Sequence, residues 1–312
     1  MRPDDRGLAE FRGPEVLHQQ PSDSRCAPGP DPPEADGRGE IAHGVSSPLA
    51  RVASTCGGLV TADAHCHLSL LRDPDEAVYE GLAAGVSPIL AVSMDADEAE
   101  AVLALRDRHR GAVLAGAGLH PSRIVELSVE QQREHLLRIE GIAEGADFIG
   151  EIGLDYKDAR EEPQRAHQRE ALERLLDVAA GRRLPVNLHT RRADREVMEA
   201  AIAFHEKTGL GALMHWFTHS SKLARSCTER GIFISAGPSV LVSERTAAVA
   251  RCIDASILLV ETDTPVEYGT LGPARPAWAA RVLRRLAELR QTDVALLSES
   301  VRRNLANYLE RS

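Results

Sequence analysis

The sequence predicts an α/β protein built as a (β/α)8 TIM barrel, slightly distorted, behind an N-terminal extension. Three observations carry that expectation. After Gly58, short apolar runs flanked by glycine alternate with longer amphipathic stretches, the order of repeated strand-helix units. The runs number about eight, which is the count that closes a parallel barrel. Residues of metal-binding type fall at the carboxyl ends of those runs, the face on which such barrels carry their chemistry.

Taken in order, residues 1–55 read as a disordered or loosely packed extension. Stretches such as CAPGPDPPEADGRGE hold many Gly and Pro and almost no periodic apolar residues. The alternative is that Leu49, Val52 and the GGLV run extend the first strand. Residues 56–312 are expected to form the barrel. Its strand candidates are LVTADAH, VSPILAV, AVLAGAG, FIGEIG, PVNLH, GALMHW, IFISAG and ILLVETD. Between them run helical stretches such as DEAEAVLALRDRH, VEQQREHLLRIEGIA and EALERLLDVAA, each with an apolar face at 3.6 spacing. An open doubly wound sheet is the rival, but the Gly-rich phosphate turn it would more often carry after the first strand is absent. The C-terminal stretches ARPAWAARVLRRLAELR and DVALLSESVRRNLANYL read as closing helices on the outside, with their arginines on a solvated face.

The chain has 312 residues, 43% of them hydrophobic and 27% charged, enough to bury one large core. Lys and Arg number 37 against 47 Asp and Glu, a net charge of -10. That balance supplies no global positive field for a long polyanion, so a nucleic-acid partner would be gripped locally. Cys26, Cys56, Cys66, Cys227 and Cys252 are odd in number and scattered without a C-x-x-C pair, which fits reduced thiols and a cytoplasmic protein. No apolar segment reads as a signal peptide or a membrane span.

The strand ends carry the chemistry. His65 and His67 end the first strand, His120 follows the third, Glu151 ends the fourth, His189 the fifth, His215 the sixth and Asp263 the eighth. Five of the chain's 12 histidines at strand ends are hard to ascribe to chance. A lone strand histidine is usually an ordinary core or surface residue. Several buried imidazoles and carboxylates converging on one mouth, however, would be costly without a cation. Imidazole and carboxylate together suit zinc, manganese or a similar divalent ion. Side chains alternate along a strand, so Asp63, His65 and His67 share one face, while Ala62, Ala64 and Cys66 share the other. Cys66 is therefore expected to pack as a small hydrophobe rather than bind metal. His109, His135, His167 and His205 fall in helical stretches and His18 and His43 in the tail, and they receive no site role.

DAHCHL at 63–68, GLHP at 118–121, GEIGLDY at 150–156, HTR at 189–191, HWFTHS at 215–220 and ETDTP at 261–265, in that order, resemble the TatD-type metal-dependent deoxyribonucleases of the amidohydrolase superfamily. The likeness runs from about Leu59 to the terminal RRNLANYL. It implies two divalent ions, Mg, Mn or Zn. His65, His67 and Asp263 would hold one, His189 and His215 the other, and Glu151 would bridge them. His120 and Arg191 would line the mouth, and Asp63 would orient a ligand imidazole. Ser235 and Gly237 match the family's serine and glycine after strand 7, and Ser235 would contact the substrate.

Two places depart from the family. Trp216 and His219 stand where a Cys and a Gly are usual, and VEYGTLGPARP replaces a proline-rich segment with an Arg-Gly pair. Both lie on loops that shape a substrate pocket. Trp216 has two readings, a face for stacking a terminal base or a packing residue.

The resemblance implies phosphodiester hydrolysis at nucleic acid ends, DNA foremost, of the 3′-to-5′ exonuclease type. Two ions roughly 3.5 to 4 Å apart would activate a water and stabilise charge on the phosphate. Asp263 is the candidate general base, Arg191 would contact a phosphate oxygen, and His120 and His219 could donate to the phosphate or leaving group. Two rivals stand beside this: hydrolysis of a small amide, lactone or phosphoester on the same metals, and a non-catalytic scaffold with a relic site.

Overall fold

Eight parallel strands lie side by side in sequence order: β1 (Thr61–Cys66), β2 (Val86–Ala91), β3 (Val113–Ala117), β4 (Phe148–Asp155), β5 (Val186–Arg191), β6 (Ala212–Met214), β7 (Phe233–Ala236) and β8 (Leu258–Val260). The structure, a computed structural model, describes residues 60–218 and 220–310. The expectations for residues 1–55 and for His219 lie outside the described residues. Each of the eight predicted runs is a strand, and helices alternate with them, so the expected (β/α)8 barrel is the observed fold.

Helix starts follow the local chemistry. Asp73, Asp95, Ser128 and Ser220 each accept a backbone N–H in the first turn of the helix that follows. The apolar strand residues, among them Ile89, Leu90, Ile149, Ile152, Leu154, Leu188, Leu213 and Leu258, are fully buried in one continuous core with the helix faces. The C-terminal helices Ala279–Arg290 and Val294–Leu309 cover β1 and β8 as expected. One of their arginines departs from the expected solvated face. The Arg290 guanidinium donates to the carbonyls of Ala250, Arg251 and Ile253, closing the end of the helix Glu244–Arg251. Cys66 and Cys227 are free and buried, whereas Cys252 is disulfide-bonded, so reduced thiols throughout is corrected at that position. Among the described residues no helix is long and apolar enough to cross a membrane.

The barrel closes between β8 and β1. Asp263 N–H donates to His65 O at 3.0 Å, and His67 N–H donates to Thr264 O at 2.8 Å. Asp63 locks this seam. Its carboxyl accepts the Thr262 N–H at 2.9 Å and also meets the Thr262 hydroxyl. Burial pushes the Asp63 carboxyl up to about 8, against the hydrogen bonds that pull it down. Asp63 thus sets the strand that carries Asp263, rather than orienting an imidazole as expected from the sequence.

Strand β4 is irregular where Glu151 sits. Its register with β5 shifts between Ile149 and Ile152. The Glu151 backbone crosses to Ser93, just beyond β2, with Glu151 N–H donating to Ser93 O at 3.1 Å and Ser93 N–H to Gly150 O at 3.3 Å. Gly118 makes that crossing possible, because a Cβ there would lie 2.4 to 2.5 Å from backbone atoms of Glu151. The side chain of Glu151 is thereby carried into the mouth.

If Asp63 acts as a largely neutral acid at the seam, Asp63→Asn keeps its hydrogen bonds and Asp63→Ala leaves them unmade. Denaturant unfolding is expected to show a loss of about 1–3 kcal/mol for Asp63→Ala and clearly less for Asp63→Asn. Equal losses for the two variants would contradict this role.

Candidate metal centre

Strand alternation puts a column of polar side chains inside the barrel. Asp63, His65 and His67 come from β1 and its end, Glu151 and Asp155 from β4, and Asn187, His189 and Arg191 from β5. His215, Ser235, Glu261 and Asp263 come from β6, β7 and β8 or the residues just after them. Apart from His189 and Arg191, which are part-exposed at the rim, all of these side chains are buried.

Glu151 stands between two sets of donors, one for each of its oxygens. Oε2 lies 3.4 Å from His65 Nε2 and 3.2 Å from His67 Nε2. Those two nitrogens are 3.3 Å apart, and Asp263 Oδ1 lies 3.6 and 3.4 Å from them. Oε1 lies 2.7 Å from His189 Nδ1 and 2.8 Å from His215 Nε2, which are 3.2 Å apart. Each set converges on a point, as ligands do around one ion. Glu151 Oε2 is buried without a hydrogen-bond partner, as is His67 Nδ1. A carboxylate oxygen left bare among imidazole nitrogens calls for a cation, and the donor set fits a divalent metal of the zinc or manganese kind.

The neighbours of the imidazoles decide which nitrogen is free to bind. Asn187 donates Nδ2–H to Ala64 O, so its Oδ1, 2.9 Å from His65 Nδ1, accepts from that ring. This leaves His65 Nε2 with its lone pair toward Glu151. His189 faces Asp155 Oδ2 through Nε2 at 3.3 Å, which directs Nδ1 inward. Asn187 and Asp155 thus hold ligand-type rings from behind, as carboxylates and amides commonly do in metal sites. His120 differs. Its Nδ1 accepts the Ser122 N–H at 3.1 Å, so in the neutral ring Nε2 carries the proton. Burial holds His120 below the usual imidazole range, in favour of that neutral form. Although its Nε2 is 3.4 Å from Glu151 Oε1, His120 is arranged to donate a hydrogen bond and not to ligate.

The field of the site favours positive charge. Burial opposes charge on His67, but the carboxylates of Asp263 and Glu151 beside it outweigh that and push the ring up to about 10. Burial likewise opposes charge on His189, and Asp155 and Glu151 push it up to about 9. His215 goes the other way, down to about 4, through burial and the His65 ring stacked on it at 3.8 Å.

The remaining predicted residues are placed as follows. Arg191 Nη2 lies 2.6 Å from both Asp155 Oδ2 and Asp158 Oδ2. Ser235, expected as a substrate contact, is fully buried and donates its hydroxyl to Glu261 Oε2 at 2.5 Å. Gly237 packs against the same glutamate, with Glu261 Cγ 3.3 Å from where a Cβ would stand. Trp216 donates its backbone N–H to Glu261 Oε1 at 2.7 Å. Its ring lies 5.9 Å from that of Tyr268 and packs on Val266, Tyr268 and Ala274. Trp216 and the segment that follows Asp263 therefore form one wall. Trp216 and Asp263 both sit in the left-handed backbone region, at φ 43° and 50°, an arrangement that costs energy and is held by the surrounding bonds. Cys66, as expected, joins the apolar core, where burial raises its thiol well above the usual range.

The TatD related DNase model matches residues 62–310. The chain belongs to the TatD related DNase family. It is accordingly a metal-dependent hydrolase acting on ester bonds. Among relatives similar to it, human deoxyribonuclease TATDN3 is 30% identical over 231 residues, covering 70% of this chain and 81% of that protein. The 3′-5′ ssDNA/RNA exonuclease TatD of Enterobacter lignolyticus is 32% identical over 246 residues, covering 75% and 92%. The crystal structure of YJJV, a TatD homologue from Escherichia coli K12, superposes with a TM-score of 0.70 at 26% identity, covering 80% of this chain and 97% of that one.

Four members of this site were not singled out from the sequence: Asp155, Asn187, Glu261 and Thr262. Asp155 lies four residues from Glu151, and Asn187 and Glu261 lie two from His189 and Asp263, so the alternation applied to β1 would have placed these three on the same inner face; Thr262 is adjacent to Asp263, and alternation gives no sign of it.

Metal uptake must displace the protons that Glu151, Asp155 and Asp263 hold on His67 and His189. Affinity for manganese is therefore expected to rise with pH up to about 9, where the His189 ring begins to lose its proton unaided, with proton release on binding. Calorimetry in buffers of different ionisation enthalpy measures this, and pH-independent binding without proton release would contradict it.

Proposed function

We propose that the chain removes nucleotides from the 3′ end of single-stranded nucleic acid, DNA foremost, with two divalent ions in the barrel mouth. The observation that carries this reading is that the two oxygens of Glu151 face separate donor sets, 3.2 to 3.4 Å from His65 and His67 on one side and 2.7 to 2.8 Å from His189 and His215 on the other. His65, His67, Asp263 and Glu151 would hold one ion, and His189, His215 and Glu151 the other. When bound, such a pair lowers the pKa of a water and stabilises the charge on an attacked phosphate.

The chain's own groups supply the rest. Asp263 has Oδ1 directed at His65 and His67, leaving its other oxygen to take a proton from the attacking water and later to return it to the leaving group. His120, with its proton on Nε2, donates toward a phosphate oxygen. Arg191 presents a planar fork to a second oxygen. Asn187 and Asp155 keep His65 and His189 from rotating. Grip on a strand end fits the net charge of -10, which offers no long positive track. The names of the relatives, among them a 3′-5′ ssDNA/RNA exonuclease, support the same direction and substrate.

The test uses purified protein with manganese or magnesium and single-stranded DNA labelled within the strand. Stepwise shortening from the 3′ end is expected, and blocking that end should stop it. Asp263→Ala is expected to lower the rate by about 10³-fold or more. Metal-loaded protein that leaves DNA and RNA intact but cleaves a small phosphoester or lactone would replace this reading with the small-substrate one.

A further inference from the structure

Arg191 carries more negative charge than one guanidinium can match. Its Nη2 lies 2.6 Å from Oδ2 of Asp155 and 2.6 Å from Oδ2 of Asp158. The two acids are held very differently. Asp155 is fully buried, and its Oδ1 accepts the N–H of Lys157 and of Asp158 at 3.0 and 3.2 Å. Its Oδ2 also faces His189 Nε2 at 3.3 Å, so it is tied to the backbone, to the arginine and to a ligand-type ring at once. The Asp158 side chain is 38% exposed, and the partner described for its carboxylate is Arg191. Arg191 itself is 27% exposed at the mouth, and its Nε is buried without an acceptor. The fork therefore has donors to spare and is partly shut by an acid that little else retains.

We propose that Asp158 is a displaceable latch on Arg191, which yields its place to an oxygen of the incoming phosphate while Asp155 keeps the guanidinium in position. A half-exposed carboxylate pair contributes little, whereas a phosphate offers the fork two oxygens at once and meets the unused Nε. The latch keeps the arginine extended toward the mouth in the free enzyme and charges each ligand the cost of opening it. Asp158 is thus a specificity-determining residue. A substrate whose scissile group is a phosphoester repays the displacement, and a neutral ester or lactone, which brings no anionic oxygen, does not. This deepens the phosphodiester part of the proposed function and does not depend on the polymer or its direction.

Binding of inorganic phosphate to the manganese-loaded protein, followed by calorimetry, tests the latch without reference to turnover. If Arg191 is latched in about nine molecules in ten, Asp158→Asn tightens phosphate about tenfold, since apparent affinity is reduced by the fraction of open fork. The KM for a phosphodiester is expected to fall by a similar factor. In an Arg191→Gln background the Asp158→Asn effect should vanish, because the pair acts as a unit. Weaker or unchanged phosphate binding by a well-folded Asp158→Asn protein would overturn the proposal. So would an effect that persists in the Arg191→Gln background, which would mark a general change in surface charge. Loss of nuclease activity in the unmodified protein together with a tightened Asp158→Asn would overturn the nucleic-acid reading and leave the latch standing.

Discussion

A carboxylate buried at the axis of the barrel, with neither oxygen exposed to water, is the constraint on which the rest depends. Glu151 is 1% exposed and is ringed by the nitrogens of five imidazoles, those of His65, His67, His120, His189 and His215. Such a group is costly unless positive charge stands beside it. Held among the inward-facing nitrogens of His65, His67, His189 and His215, it makes the mouth a receptor for cations before any substrate arrives. The pull of the same acids on His67 and His189, each driven toward its protonated form, is that demand expressed in protons.

The fold meets this demand through a few local departures from regularity. The crossing of Glu151 to Ser93, which needs Gly118 to lack a side chain, brings the carboxylate inward. The seam between β8 and β1, closed by Asp63 and Thr262, sets Asp263 opposite His65 and His67. Behind these, Asn187 and Asp155 fix ring orientation, and Glu261 gathers Ser235 and the Trp216 backbone beneath the mouth. Stability and chemistry draw on the same buried hydrogen bonds, so residues that never meet a substrate still decide where the reacting groups stand.

Much of this is legible in the sequence, because two periodicities are. Short apolar runs alternating with helical ones give the barrel, and period-two alternation puts His65, His67, Glu151, His189, His215 and Asp263 on one inner face. What was harder to read follows from chemistry rather than pattern. Asn187 is not a ligand type, so a search for metal-binding residues passes over it. Asp155 lies beyond the residue taken as the strand's end. Ser235 matches the family, but only the packing of Glu261 shows that its hydroxyl is consumed. The resemblance assigns Asp63 to an imidazole, whereas its nearest donors belong to Thr262, just beyond β8 and about two hundred residues later in the chain. Long-range partners of this kind are invisible to local spacing.

The central claim is that Glu151 joins two cation positions. Anomalous scattering from crystals soaked in manganese, with the metal content of the same protein measured in solution, addresses it most directly. The account predicts two peaks, one among His65, His67 and Asp263 and one between His189 and His215, with both weakened in Glu151→Gln although every imidazole is retained. A single peak in the unmodified protein, or two undiminished peaks in Glu151→Gln, would contradict it.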